Sequence, residues 1–325
     1  MSRGRQSTLL VIIMIFCSAG CGGGGGGSDN GNGEIILAAA NDFVYQLQNA
    51  DPVAIGNTAF DLVVMDYSAD GDEATRYTAG QIAALKNSPG GPKIVLAYMS
   101  IGEAEDYRWY WQENWDGDGD GSPDDGAPSW LGASNPDWIG NYKVRYWDPA
   151  WQAIVFGSAN SYLDKIIDAG FDGVYMDIID AFEYWGPGGE SGLNRAGAER
   201  EMVDFVMAIA SYARETRGKT GFLVFPQNGE QLSSHADYVA VVSGIGKEDA
   251  WYMDNAPQPA EYVNAVIANL DVFKNAGKLV LCTDYPTVQS LIDDFYAKAI
   301  ARGYVPYAAG RELDSMRINP GHEPD

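Results

Sequence analysis

Fifteen residues, Phe171 to Trp185, bring several carboxyl groups and aromatic rings together at the end of one apolar run. The short β-type run Val174–Met176 ends at Asp177 and passes into a loop carrying Asp180, Glu183, Tyr184 and Trp185. Further acids, Asp66, Glu103, Glu230 and Asp284, follow other apolar runs in the same way, and Tyr98 and Tyr307 add rings. Carboxyl groups held in two protonation states cleave glycosidic bonds, one giving a proton to the leaving oxygen and the other attacking or activating water; aromatic rings stack on the sugar faces. The plain alternative is that Asp177 caps the helix after its strand. Asp177 and Glu230 fall at the ends of consecutive strands, close enough to serve as a carboxylate pair, so they are the expected catalytic residues. Asp66, Tyr98, Glu103, Asp180, Tyr184, Trp185, Asp284 and Tyr307 are the expected substrate contacts on the same rim. Only His235 and His322 supply imidazole, and no Cys/His cluster suits zinc.

The elements that must position these groups alternate. Apolar runs at Phe43–Leu47, Asp61–Tyr67, Lys93–Ser100, 174–176, Gly221–Phe225, Tyr238–Val242, Leu279–Cys282 and Gly303–Tyr307 read as eight strands. Helical patterns lie between most of them, near Thr78–Leu85, Trp151–Ala169, Ala196–Arg214, Pro259–Phe273 and Val288–Ala301. Such alternation predicts an α/β fold with a mostly parallel sheet, and eight units favour a (β/α)8 TIM barrel. The rival open doubly wound sheet lacks a dinucleotide fingerprint after the first strand, and no Walker A sequence is present.

Residues 1–20 read as a lipoprotein signal peptide, with Arg3 and Arg5 before a short apolar run and Ser18-Ala19-Gly20 before Cys21. Cys21 is the expected lipidation site, although Ser18 stands where Leu is usual; an ordinary secreted chain cut near Ala19 is the alternative. Residues 21–33, rich in Gly, read as a flexible tether, and 34–325 as one barrel domain. The expected location is therefore the cell envelope, lipid-anchored to the outer membrane or cell surface, facing periplasm or exterior. Cys282 alone would remain in the body, which must then hold together without disulfides.

Loss of Arg3 and Arg5 with the leader leaves 19 basic against 45 acidic side chains, a net charge of −26. That surface argues against a nucleic-acid partner and suits a cationic one, while solubility alone would also explain it. A monomer is expected. The Asp/Gly-rich insertion 116–126 spaces Asp116, Asp118, Asp120 and Asp124 like the first half of a calcium loop, but Ala127 stands where the closing Glu belongs. Structural calcium and a plain acidic loop both fit, and no cofactor is expected for catalysis.

Three segments, Asp172–Asp177, Leu96–Glu103 and Phe225–Glu230, together resemble glycoside hydrolase family 114, the endo-α-1,4-polygalactosaminidases, over about Phe43 to Tyr307. The resemblance implies a (β/α)8 barrel cutting partly de-N-acetylated α-1,4-linked galactosamine polymers with retention. It implies Asp177 as nucleophile and Glu230 as acid/base, the reverse order being the alternative. Two other functions remain open: a non-catalytic carbohydrate-binding or envelope-structural lipoprotein on the same scaffold, and a metal-dependent hydrolase built on the clustered Asp residues.

Overall fold

The computed structural model describes residues 37–325. The leader, the tether and Cys21 lie outside the described residues. Eight strands run β1 Phe43–Gln46, β2 Leu62–Met65, β3 Ile94–Ser100, β4 Gly173–Asp177, β5 Leu223–Pro226, β6 Gly244–Glu248, β7 Leu279–Asp284 and β8 Val305–Ala308. β1 to β5 form one parallel sheet in chain order, and β6 to β8 a second. The two meet at a single parallel bridge, Gln227 to Gly246, where Pro226 has no N–H to continue a ladder and Asn228 N–H donates to the Gly246 carbonyl instead, at 2.9 Å. β8 packs back against β1. The strands are buried along almost their whole length, as expected of a parallel barrel wrapped in helices.

The helices begin and end where local chemistry directs. Asp51 and Asp148 cap α1 Pro52–Gly56 and α3 Pro149–Val155, each with Pro at the first helical position. Thr78 and Gln81 form a capping box on α2 Ala79–Lys86. Gly170 and Gly303 close α4 Tyr162–Ala169 and α9 Gln289–Arg302 in the left-handed conformation. Between them lie α5 Ala181–Trp185, α6 Ala198–Ser211, α7 Ala236–Val241 and α8 Ala260–Asn275.

The structure corrects the sequence reading in three places. The helix expected over Trp151–Ala169 is two, α3 and α4, separated at Phe156–Ser161 around Gly157 at φ 109°. The run Tyr238–Val242 is not strand six: it lies in and just after α7, with Tyr238, Val239 and Val242 buried at helical spacing. Strand six is Gly244-Ile245-Gly246-Lys247-Glu248, which carries little apolar signal because its neighbours fill the barrel for it. A Cβ at Gly244 would sit 2.0 Å from the Phe225 ring, and one at Gly246 would sit 1.8 Å from Tyr175 Oη. Finally, the excursion after β3 is longer than 116–126. It is a three-stranded antiparallel arm, with Glu103–Glu105 and Leu131–Ser134 both paired to Asn141–Val144. Trp111, Trp115, Trp130 and Tyr142 pack edge-to-face or tilted at its base.

Candidate active site

A cleft of about 1010 Å³ opens where the C-terminal ends of the strands and the arm meet. Asp177 ends β4. Its Oδ2 accepts a hydrogen bond from Tyr98 Oη of β3 at 2.9 Å, and its Oδ1 one from the Ile178 N–H at 2.8 Å. Ile178 itself has φ 58°, an expensive conformation for a β-branched residue. Gly102 makes room for this turn: a Cβ there would stand 2.1 Å from the Ile178 carbonyl oxygen.

The second carboxyl group at this point of the cleft is Glu248, which ends β6. Gln227 Nε2 and Tyr285 Oη donate to its two oxygens. Gln227 is fixed in turn by Tyr45 of β1, whose hydroxyl donates to Gln227 Oε1 at 2.9 Å. Asn228, at φ 61°, accepts the Glu248 N–H on its side chain. Burial pushes the Asp177 carboxyl well above the ordinary carboxylate range, and the charges of Glu248 and Asp180 push it further against its two donors. Burial raises Glu248 as well, opposed by Tyr285 and Gln227. Two interacting carboxyls of this kind titrate as a unit, one keeping a proton while the other is ionised. That is the state in which one group can donate to a leaving oxygen and the other can attack or activate water.

Glu230, expected opposite Asp177, lies in the 3-10 turn Glu230–Ser234 beyond β5, buried and outside the cleft lining. Its carboxylate is 3.2 Å from Lys247 Nζ. Burial works against the Lys247 ammonium, yet Glu230 and Tyr262 hold its pKa above the usual lysine value. The geometry thus makes Glu230 the counter-ion of a buried lysine and brings Glu248 to Asp177. Glu248 was missed because it ends a strand with no apolar run. The Gln-Asn pair two residues before Glu230 was visible, and those side chains serve Glu248.

Of the expected substrate contacts, Asp66, Tyr98, Glu103, Asp180 and Tyr184 line the cleft. Asp66 is held by Arg108 through two bonds of 3.0 and 2.6 Å, and Glu105 holds the same fully buried guanidinium at 2.7 Å. Asp180 precedes α5; burial raises its pKa while Lys247 and Lys143 oppose the rise. Three other expectations are corrected. Trp185 is buried against Trp147 and Tyr184, with Arg145 over its ring. Tyr307 is buried against Phe43 and Phe60 and accepts the Arg317 N–H. Asp284 is fully buried, and its carboxylate accepts from the N–H groups of Ala250, Trp251 and Tyr252 at 2.8–3.0 Å. It anchors the loop after β6, and none of the three lines the cleft.

In the arm, single carboxylate oxygens of Asp116, Asp118 and Asp120 lie within 4.8 Å of one another. Asp124 does not join them: its Oδ2 accepts the Gly117 N–H at 2.7 Å. Across the cleft, eleven carboxyl groups face two cations, Lys143 and Arg311. Lys143 is paired with Glu103 at 2.6 Å and Arg311 with Asp249 and Asp254 at 2.8 Å each, so the cleft is strongly anionic.

Comparison with known proteins agrees with this architecture. Uncharacterized protein MJ1477 of Methanocaldococcus jannaschii is 42% identical over 286 residues, 84% of this chain and 77% of that protein. An uncharacterized Thermotoga maritima protein is 39% identical over 295 residues, covering 87% and 85%. Among solved structures, the glycoside hydrolase domain of PelA from Pseudomonas aeruginosa superposes with a TM-score of 0.59 at 16% identity, over 84% of this chain and 96% of that one. Aspergillus fumigatus Ega3, solved in complex with galactosamine, gives 0.61 at 18% identity, over 86% and 94%. At these identities the structural likeness establishes the (β/α)8 fold. The model of glycoside-hydrolase family GH114 matches residues 30–323, nearly all of the barrel and the arm it carries, and the chain belongs to that family.

Proposed function

We propose that the protein is an endo-acting glycoside hydrolase for a cationic amino-sugar polymer, partly de-N-acetylated α-1,4-linked galactosamine, with Asp177 and Glu248 as the reacting carboxyl pair. The observation that carries the reading is the coupled pair itself, set among hydrogen-bond donors that fix both side chains in the cleft of a GH114 barrel. The anionic lining supports the charge of the substrate, and the galactosamine bound by Ega3 supports its sugar. One carboxyl protonates the leaving oxygen; the other attacks the anomeric carbon, and water releases the glycosyl-enzyme with the first group acting as base. Azide rescue separates the roles. An alanine variant at the nucleophile is rescued to a β-glycosyl azide, and one at the acid/base to an α-glycosyl azide; rescue of neither would remove the double-displacement mechanism.

Attachment through lipid on Cys21 to the cell envelope, and action there as a monomer, complete the proposal. Palmitate labelling that persists in a Cys21→Ser variant would contradict the anchor. Structural calcium on Asp116, Asp118 and Asp120 belongs to the same reading; a melting temperature indifferent to chelator and to calcium would end it.

A further inference from the structure

The arm after β3 presents two groups that the barrel chemistry leaves unused. Eight of the nine tryptophans in the chain make ring-to-ring contacts. Trp138 makes none among the described residues; it is 50% exposed and lines the cleft. It is nonetheless held in place. The Asn135 N–H donates to the Asn141 carbonyl at 2.6 Å, the Asn141 N–H to the Trp138 carbonyl at 3.0 Å, and the Asp137 N–H to Asn135 Oδ1 at 3.1 Å. Gly140 turns at φ 96°, where a Cβ would meet the Asp106 carboxylate at 3.0 Å. A large ring displayed on a fixed turn, facing a cleft and without a ring partner among the described residues, suits stacking on a pyranose.

Glu103, in the first strand of the arm, is the second group. It is 0% exposed and lines the same cleft. Its Oε1 accepts from Lys143 Nζ at 2.6 Å and from Asn135 Nδ2 at 3.0 Å, but its Oε2 is buried with no partner among the described residues. A buried carboxylate oxygen left unpaired is costly, and a donor supplied by a ligand removes the cost. The groups that act most strongly on Glu103 are Lys143, Asn135 and Glu105. The Asn135 amide links the two features, joining Glu103 to the turn that carries Trp138.

We propose that the arm is a second sugar-binding station in the cleft, where Trp138 stacks on a pyranose ring and Glu103 Oε2 accepts a hydrogen bond from a free 2-ammonium of the same chain. It rests on the amino-sugar reading above and adds a place where acetylation is sensed, since N-acetylation removes the charge and two of the three N–H donors on the nitrogen that Glu103 Oε2 would meet. The station adds a contact to those the reacting carboxyl pair makes and thereby favours long chains over short ones.

The test is calorimetric binding to the full-length Glu248→Gln protein, which retains the arm while cleavage is suppressed, using α-1,4-galactosamine octamers that are fully de-N-acetylated or fully N-acetylated, and a trimer. Adding Trp138→Ala should weaken both octamers about tenfold and the trimer by less than about twofold. Adding Glu103→Gln should cut the preference for the de-N-acetylated octamer by about fivefold, the remainder coming from the other carboxyl groups of the cleft, with a melting curve recorded to show that the variant is folded. Unchanged octamer affinity in the Trp138 variant, or an equal loss for octamer and trimer, would overturn the station; an intact preference in folded Glu103→Gln would overturn the amine contact. Should Glu103→Gln not fold, Asn135→Ala, which releases the same carboxylate from the turn, must reduce the preference or the amine contact is overturned. If no galactosamine oligomer binds at all, the substrate reading itself has failed. Chitosan and cellulose octamers then probe Trp138: an affinity lost on its removal upholds the stacking role, and no binding of either ends it.

Discussion

Asp177 and Glu248 sit in hydrogen-bonded seats that fix their direction, and burial holds their protons more tightly than water would. Removing either charge should therefore lower kcat by about a thousandfold, within the range expected for a general acid or base. Glu230→Gln should act differently, because it leaves Lys247 partly unpaired while the cleft pair remains intact; its main effect is a lower melting temperature, with kcat reduced far less than by Glu248→Gln. Steady-state kinetics on the three variants decides this, and equal losses in the Glu230 and Glu248 variants would refute the assignment. The kcat/KM profile of the wild type should be bell-shaped, and its alkaline limb should lie above the ordinary carboxylate range because the last proton of the pair is held by burial and mutual charge. An alkaline limb near an ordinary carboxylate value would contradict that origin.

At the scale of elements, the site depends on close approaches that only glycine allows, at Gly102, Gly244 and Gly246. Gly102→Ala places a methyl against the Ile178 carbonyl and so pushes on the turn that orients Asp177. We expect a stability loss of about 1–3 kcal/mol, as for other overpacked positions, with kcat falling by more than the unfolded fraction accounts for. Melting curves with activity at matched folded fraction would show it. The same logic explains which elements were legible in the sequence. β3 and β4 advertise themselves because their own side chains are apolar, and Asp177, Tyr98 and Asp180 were found with them. β6 was hidden because Phe225 and Tyr175 occupy the space its side chains would need, leaving Gly244 and Gly246 with no pattern to read. The apolar segment next to it, in and after α7, drew the assignment instead, so Glu248 went unseen and Glu230 took its place. Asp284, Trp185 and Tyr307 have the right types at the right rim, but sequence position does not tell whether a side chain at a strand end turns inward, outward or beneath the cleft. Here backbone N–H groups and aromatic neighbours captured them.

For the whole molecule, several buried carboxyls shift in one direction. Asp284 is pushed up to about 7 by burial despite its three N–H donors, and Asp177, Glu248, Asp180 and Glu103 are also raised by burial. A carboxyl whose folded pKa exceeds its unfolded value stabilises the fold fully below the unfolded value, and that contribution is lost as pH rises through the folded one. The melting temperature should accordingly rise as pH falls from 8 toward 5.5, helped by relief of self-repulsion in a chain of formal net charge −24. A melting temperature that falls over this interval would contradict the burial account. An anionic cleft facing a cationic polymer also predicts that kcat/KM declines with ionic strength, and more steeply for highly de-N-acetylated chains. The most direct measurement is reducing-end release from partly de-N-acetylated α-1,4-galactosaminogalactan by the wild type and by Glu248→Gln, with neutral and anionic glycans alongside. The account predicts cleavage of the cationic polymer that Glu248→Gln abolishes. A folded wild type that cuts none of these glycans, or a Glu248→Gln variant as active as the wild type, would contradict it.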